Sequence, residues 1–160
     1  MNKNQIGWIG QTYVMFKLAE EGLFSLDLPP EMDFDLITSL NEKIEIKTST
    51  IHIEKRNYIL KNKNKNVKKT NPCTREYWAF GNNGTFNKKR DRKCDFFIFV
   101  CLDRKYKVKK TFIVPKKIIG ERRIISIPKE FKQKSYNAFS LKEYENKWDL
   151  IKTKEIHTSL

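Results

Sequence analysis

The sequence predicts an α/β fold with a mixed central β-sheet flanked by helices, on three observations. The run Cys94-Asp95-Phe96-Phe97-Ile98-Phe99-Val100-Cys101-Leu102 is apolar on both faces, as a central strand covered on each side requires. Asp33-Phe34-Asp35-Leu36-Ile37 and Ile44-Glu45-Ile46-Lys47-Thr48-Ser49 alternate apolar and polar residues with the period of two of half-buried strands. Ahead of them, Val14, Met15 and Leu18 recur at helical spacing.

The first element is a helix from about Asn4 to Glu21, ended by Gly22. Gln11 falls on its apolar stripe, so its amide needs a polar partner, either a hydrogen-bonding group inside the fold or the carboxylates of the hairpin that follows. Gly7 and Gly10 permit close approach of the helix backbone to a strand or a phosphate. Pro29-Pro30 keeps helix from continuing. The hairpin then occupies about Asp33 to Ile53 and turns at Asn41-Glu42-Lys43. Alternation puts Glu45, Lys47 and Ser49 on one face of its second strand and Ile44 and Ile46 on the other. Asp33 and Asp35 share a face of the first strand, and pairing brings one of them beside Glu45. Two carboxylates and a lysine at one end of a hairpin suit a magnesium ion and a phosphate. The competing description is a solvated hairpin with decorative charges, in a chain with 32% charged residues. Phe34, Leu36, Ile37, Ile44 and Ile46 interleave with the charges in core positions, which favours the site.

From Lys55 to Lys69 the chain reads KRNYILKNKNKNVKK, with seven basic residues and no acid. Such a run reads as a solvated segment; beside the hairpin, Lys55, Arg56, Lys61, Lys63, Lys65, Lys68 and Lys69 suit a DNA backbone. Residues 76–81 read as a short strand before the turn Asn82-Asn83-Gly84. Lys88, Lys89, Arg90 and Arg92 form a second basic stretch before the apolar run. Thr111-Phe112-Ile113-Val114 is a strand stopped by Pro115, and Ile124 to Ile127 adds an edge strand. Leu141 to Ile151, with Tyr144 and Trp148 four apart, predicts a terminal helix. The chain carries no internal repeat and no sign of a second domain.

Lys and Arg number 33 against 19 Asp and Glu, a formal net charge of +14, which favours polyanionic partners and nucleic acid first. A chain of 160 residues makes one domain. No segment has the apolar length of a membrane span, and the polar start Met1 to Gln5 lacks the apolar region of a signal peptide, so the expected location is the cytoplasm. Cys73, Cys94 and Cys101 are odd in number, without zinc or disulfide spacing. His52 and His157 lie far apart and suggest neither a His-based metal cage nor a nucleophile-activating pair.

The order of helix, Asp strand, Glu-x-Lys strand, basic insertion, apolar strand and Val-Pro strand resembles the PD-(D/E)XK nuclease superfamily, the restriction-endonuclease-like fold. The resemblance spans about Gln5 to Pro115 and rests on Gly7-x-x-Gly10-Gln11, Phe34-Asp35-Leu36-Ile37, Glu45-Ile46-Lys47-Thr48, Asp95-Phe96-Phe97-Ile98-Phe99-Val100 and Phe112-Ile113-Val114-Pro115. Within that superfamily the chain looks most like the small group I intron-associated homing endonucleases, with archaeal Holliday-junction resolvases and type II restriction endonucleases as looser relatives. The resemblance implies a restriction-endonuclease-like core in which Asp35 and Glu45 bind Mg2+ and Lys47 stabilises charge on the reacting phosphate or orients the attacking water. Gln11 stands where relatives often carry glutamate; it keeps the reach and hydrogen bonding and drops a charge. The implied activity is magnesium-dependent, site-specific cleavage of double-stranded DNA. A homodimer or homotetramer would be needed, because one site cuts one strand per encounter. Basic insertions near 55–72 and 82–94 would hold phosphates. The alternative of another class is a non-catalytic DNA-binding module, with Asp35, Glu45 and Lys47 as a structural charge cluster.

Overall fold

The computed structural model describes residues 1–61, 68–81, 93–120, 122, 124–131 and 140–152, and of 56–61 and 68–73 the backbone alone. It opens with an 18-residue helix, α1 (Lys3–Glu20). The helix starts at Asn2 because its side chain accepts from the Gln5 N–H at 2.9 Å while the Gln5 side chain accepts from the Asn2 N–H at 2.9 Å, a reciprocal cap. It stops at Gly22, which turns the chain at φ +77°. The strands are β1 (Ser25–Asp27), β2 (Leu36–Thr38), β3 (Lys43–Thr50), β4 (His52–Lys61), β5 (Lys68–Phe80), β6 (Phe96–Leu102), β7 (Val108–Pro115) and β8 (Ile125–Pro128). Short helices α2 (Lys116–Ile119) and α3 (Asp149–Lys152) follow β7 and precede the C-terminal stretch.

A five-stranded sheet runs β1-β2-β3-β6-β7, and β4-β5-β8 form a second, three-stranded antiparallel sheet. The large sheet is mixed because β3 and β6 pair in parallel, Glu45 opposite Phe97 and Lys47 opposite Phe99, while its other pairs are antiparallel. One face carries Ile44, Ile46, Ile98, Val100 and Ile113 against Val14 and Leu18 of α1 and against Trp148 and Ile151 near the C-terminal end. The opposite face carries Phe97, Phe99, Phe112 and Val114 against Trp78, Phe80, Ile125 and Ile127 of the small sheet. Phe80 meets Phe99 edge-on with ring centroids 4.9 Å apart, and the buried Trp78 Nε1 donates to the Leu102 carbonyl at 2.7 Å, so no polar atom of that indole is wasted.

The α/β class, the central apolar strand and the mixed sheet agree with the sequence reading; four particulars differ. The small sheet, not a helix layer, covers the second face of the large one. The run from Lys55 was read as a solvated segment, yet the backbone of β4 and β5 pairs continuously from His52 opposite Tyr77 to Lys61 opposite Lys68. Ladder hydrogen bonds belong to the backbone and form whatever charge the side chains bear, so composition alone misreads such a ribbon. The strand β1 was not anticipated. The expected terminal helix is broken: a 3-10 turn at Lys142–Tyr144 gives way to a bridge between Glu145 and Phe112 and to Asn146 at φ 55° before α3 begins. The chain crosses the β7 edge there, so Tyr144 packs on one core and Trp148 in the other. Among the described residues no helix is long and apolar enough to cross a membrane.

Candidate active site

The site begins just ahead of β2. β2 pairs with β3 only at Leu36 opposite Ile44 and Ile37 opposite Lys43. Just before it, the Asp35 N–H donates to the Ile44 carbonyl at 2.9 Å, and the Asp35 Oδ2 accepts from the Ile46 N–H at 2.7 Å. The carboxylate thus takes the place of the next strand residue and lies along the open edge of β3. Because the N–H and C=O of one strand residue point to the same edge, the Ile46 carbonyl faces the same side as Asp35. Between Ile44 and Ile46, Glu45 turns to the face shared with the small sheet, where it is 5% exposed. Lys47 follows on that face, and its Nζ pairs with the Glu45 Oε1. Ser49 is the next residue on it, buried, its hydroxyl donating to the Thr50 carbonyl at 3.2 Å.

The alternation of Glu45, Lys47 and Ser49 against Ile44 and Ile46 is therefore as the sequence predicts. That of Asp33 and Asp35 is not, since residues 32–35 form bends ahead of β2 and Phe34 and Leu36 enter opposite cores. Asp33 instead pairs with Lys93.

Gln11 resolves differently from either carboxylate of the hairpin. Its Nε2 donates to Oδ1 of Asp27 on β1, which lies opposite Leu36 in the ladder and so on the helix side of the sheet. The neighbouring Leu28 N–H donates to the Asp35 carbonyl at 3.1 Å, which brings β1 and its acid to the Asp35 corner. Asp27 was missed from sequence; its only signal is a charge set between Leu26 and Leu28. The helix approaches closely enough for this bond because Gly10, next to Gln11, lies directly on Thr48 of β3.

That architecture matches a bacterial homing endonuclease. The solved structure of I-Ssp6803I aligns with a TM-score of 0.60 over 94% of this chain and 91% of that chain, at 15% sequence identity. The chain shares the fold of that protein, of the mixed α/β kind. No protein-family model matches the sequence, and no curated protein does.

Among the described residues no group of three or more His, Cys, Asp or Glu is placed to hold a metal. Mg2+ does not require one: it is commonly held through one or two carboxylates and completes its shell with waters and phosphate oxygens. Asp35, Glu45 and the carbonyl of Ile46 are oxygen donors of the hardness that ion takes, so the donor set fits. Cys94 and Cys101 are buried, and burial pushes the Cys101 thiol far above its ordinary range, which removes it as a nucleophile. Of the predicted phosphate contacts, Lys55 is exposed on β4, while Arg56, Lys61, Lys68 and Lys69 hold backbone positions on the ribbon. Lys63, Lys65, Lys88, Lys89, Arg90 and Arg92 lie outside the described residues.

Proposed function

We propose that the chain is a magnesium-dependent, site-specific DNA endonuclease of the PD-(D/E)XK type, with Asp35 and Glu45 as metal ligands and Lys47 as the catalytic cation. The observation that supports it is on β3, where the Ile46 N–H holds the Asp35 carboxylate at the strand's open edge and the preceding residue, Glu45, is buried and paired with Lys47. Mg2+ bound there would supply Lewis acidity and a water of lowered pKa. The chain's own groups do the rest. Ile46 N–H orients Asp35, and the low exposure of Glu45 strengthens its hold on any cation it faces. Lys47, 27% exposed, presents its ammonium where charge develops on a phosphate oxygen or where a water must be aimed. Gln11 enters through Asp27, which its amide steadies at the same corner.

Double-stranded DNA as substrate is supported by the net charge of +14 and by the basic segments. Replacing Lys61, Lys63 and Lys65 with alanine is expected to weaken DNA binding and to flatten its dependence on salt by up to about three units of the log-log slope, one per lost phosphate contact. Titration by fluorescence anisotropy across a salt series reads this directly, and an unchanged slope would make the segment a mere solvated surface. A homodimer or homotetramer supplies the second cut. Its support is Trp8 and Phe16, 69% and 59% exposed at α1, which with Thr12 form an uncharged stripe in a strongly basic chain. Intron homing ranks ahead of restriction or junction resolution because I-Ssp6803I is a homing endonuclease.

A second reading, a DNA-binding module without catalysis, is favoured by the neutral Gln11 amide bonded to Asp27. One experiment separates the two. A plasmid library with random inserts, incubated with the chain and with Gln11→Glu, is expected to show nicking or linearisation in Mg2+ and none in EDTA. Binding without any cleavage by either form would support the module instead.

A further inference from the structure

Lys43 opens β3, and its backbone is held on both sides. Its N–H donates to the Asp95 Oδ2 at 2.9 Å and its carbonyl accepts from the Asp95 N–H at 2.7 Å, while Ile37 of β2 lies opposite it on the other side. Residues two apart on a strand share a face, so Lys43, Glu45 and Lys47 stand in one row with Glu45 in the middle. The half-buried Lys43 side chain agrees with that placement, since its Nζ lies 5.6 Å from the ring centroid of Phe34, which packs in the core on the same face. Phe34 immediately precedes Asp35, whose N–H donates to the carbonyl of Ile44, the residue after Lys43. The ammonium therefore rests beside the segment that delivers the Asp35 carboxylate. The two lysines of the row differ in one respect. Lys47 is paired with Glu45, whereas among the described residues no carboxylate pairs with the Lys43 ammonium. Asp95 takes the backbone N–H of Lys43 rather than its amine, and Asp33 pairs with Lys93.

We infer that Lys43 binds a backbone phosphate of the cleaved strand within two nucleotides of the scissile one, and so seats the DNA on the Asp35 and Glu45 corner. The inference rests on the DNA-endonuclease reading and adds a substrate contact outside the Asp35, Glu45 and Lys47 set. A cation on an aromatic face is held more weakly than one hydrogen-bonded to an anion, so a phosphate can draw the amine off Phe34 without breaking an ion pair. The backbone of Lys43 is already fixed, so only its side chain must move to make the contact. Lys43 and Lys47 are four residues apart, about 13 Å along the strand, so the two amines face different phosphates. With Lys47 at the reacting phosphate, Lys43 takes a neighbour. A packing role alone needs no charge here, because an uncharged side chain such as methionine covers the Phe34 ring as well as the lysine stem does.

The test uses the full chain and a duplex selected on it from a randomised library in Ca2+, an ion that takes the same oxygen donors. Cutting that duplex in Mg2+ locates the scissile bond, and the phosphates around it are then replaced one at a time by neutral methylphosphonates. The wild type should bind about tenfold more weakly when one phosphate within two nucleotides of the cut is neutral. Lys43→Ala and Lys43→Met should each bind the unmodified duplex about tenfold more weakly, with a salt slope lower by about one, and should lose nothing further at that phosphate. Lys43→Arg should keep the wild-type pattern, because a phosphate accepts from either cation. Recovery of wild-type binding by Lys43→Met would show that Lys43 only covers Phe34 and would overturn the inference. So would Lys43 variants as sensitive as the wild type to every flanking methylphosphonate, or a lost contact that maps far from the cut. If the wild type retained no duplex, the DNA reading itself would fall. Binding without cleavage in Mg2+ would remove the enzyme, and with it the placement of Lys43 beside a scissile bond.

Discussion

Lys47→Ala is expected to lower the rate of DNA cleavage at least about a hundredfold while leaving DNA binding nearly unchanged. The asymmetry follows from where the charge sits. Binding draws on a large basic excess spread over the chain, so one amine is a small part of it. Hydrolysis depends on charge placed at the reacting phosphate, where removing one preorganised group costs about 3 kcal/mol. Lys47 also partners Glu45, which is 5% exposed, so its removal leaves a buried carboxylate without that cation. Thermal melts of Lys47→Ala and Lys47→Met must therefore accompany the cleavage assay, and only loss of rate in a folded variant counts. Where the present chain is inert, Gln11→Glu is the background. Cleavage at the wild-type rate in a folded Lys47→Ala protein would take Lys47 out of the site.

What could be read from the sequence was what alternation alone determines. Phe97, Ile98, Phe99 and Val100 are buried on both faces of β6, and Ile44 and Ile46 oppose Glu45 and Lys47 across β3, because side-chain direction in a strand depends on parity. Parity fails where a strand ends. Asp35 reached β3 through a hydrogen bond to Ile46 from outside β2, and no local pattern reports where β2 begins. The partner of Gln11 was hidden for a related reason: β1 has three residues, too few for alternation to appear, and it sits 16 residues along the chain from the glutamine it meets. The ribbon was hidden by its lysines and asparagines, whose poor strand propensity is outweighed by continuous backbone pairing. Tyr144 and Trp148 kept a helical spacing without a helix, since each is bound to a different side of the sheet.

Gly10→Ala and Gly7→Ala, the same substitution one turn apart on α1, are expected to change stability in opposite directions. At Gly7 an added Cβ meets nothing within 4 Å, so the change should stabilise by up to about 1 kcal/mol through helix propensity. At Gly10 the Cβ would lie 1.8 Å from the Thr48 Oγ1 and 2.9 Å from its Cβ. Rotating Thr48 moves the hydroxyl but not the Cβ, so the helix itself must lift from β3. Overpacking of that kind costs about 1–3 kcal/mol, and the rigid Cβ contact places this case at the upper end. After the propensity gain about 2 kcal/mol of destabilisation remains, or roughly 4–8 °C in Tm for a chain of this size. Thr48→Ala should restore part of it, because the buried Thr48 hydroxyl has no hydrogen-bond partner to lose. Lifting α1 also draws Gln11 away from Asp27, so Gly10→Ala should depress cleavage beyond what its melting temperature accounts for, and Thr48→Ala, which removes the hydroxyl but keeps the Cβ, should recover part of each. Differential scanning calorimetry of the four variants measures the coupling, and a Gly10→Ala protein as stable as Gly7→Ala would show that helix and strand do not meet at Thr48.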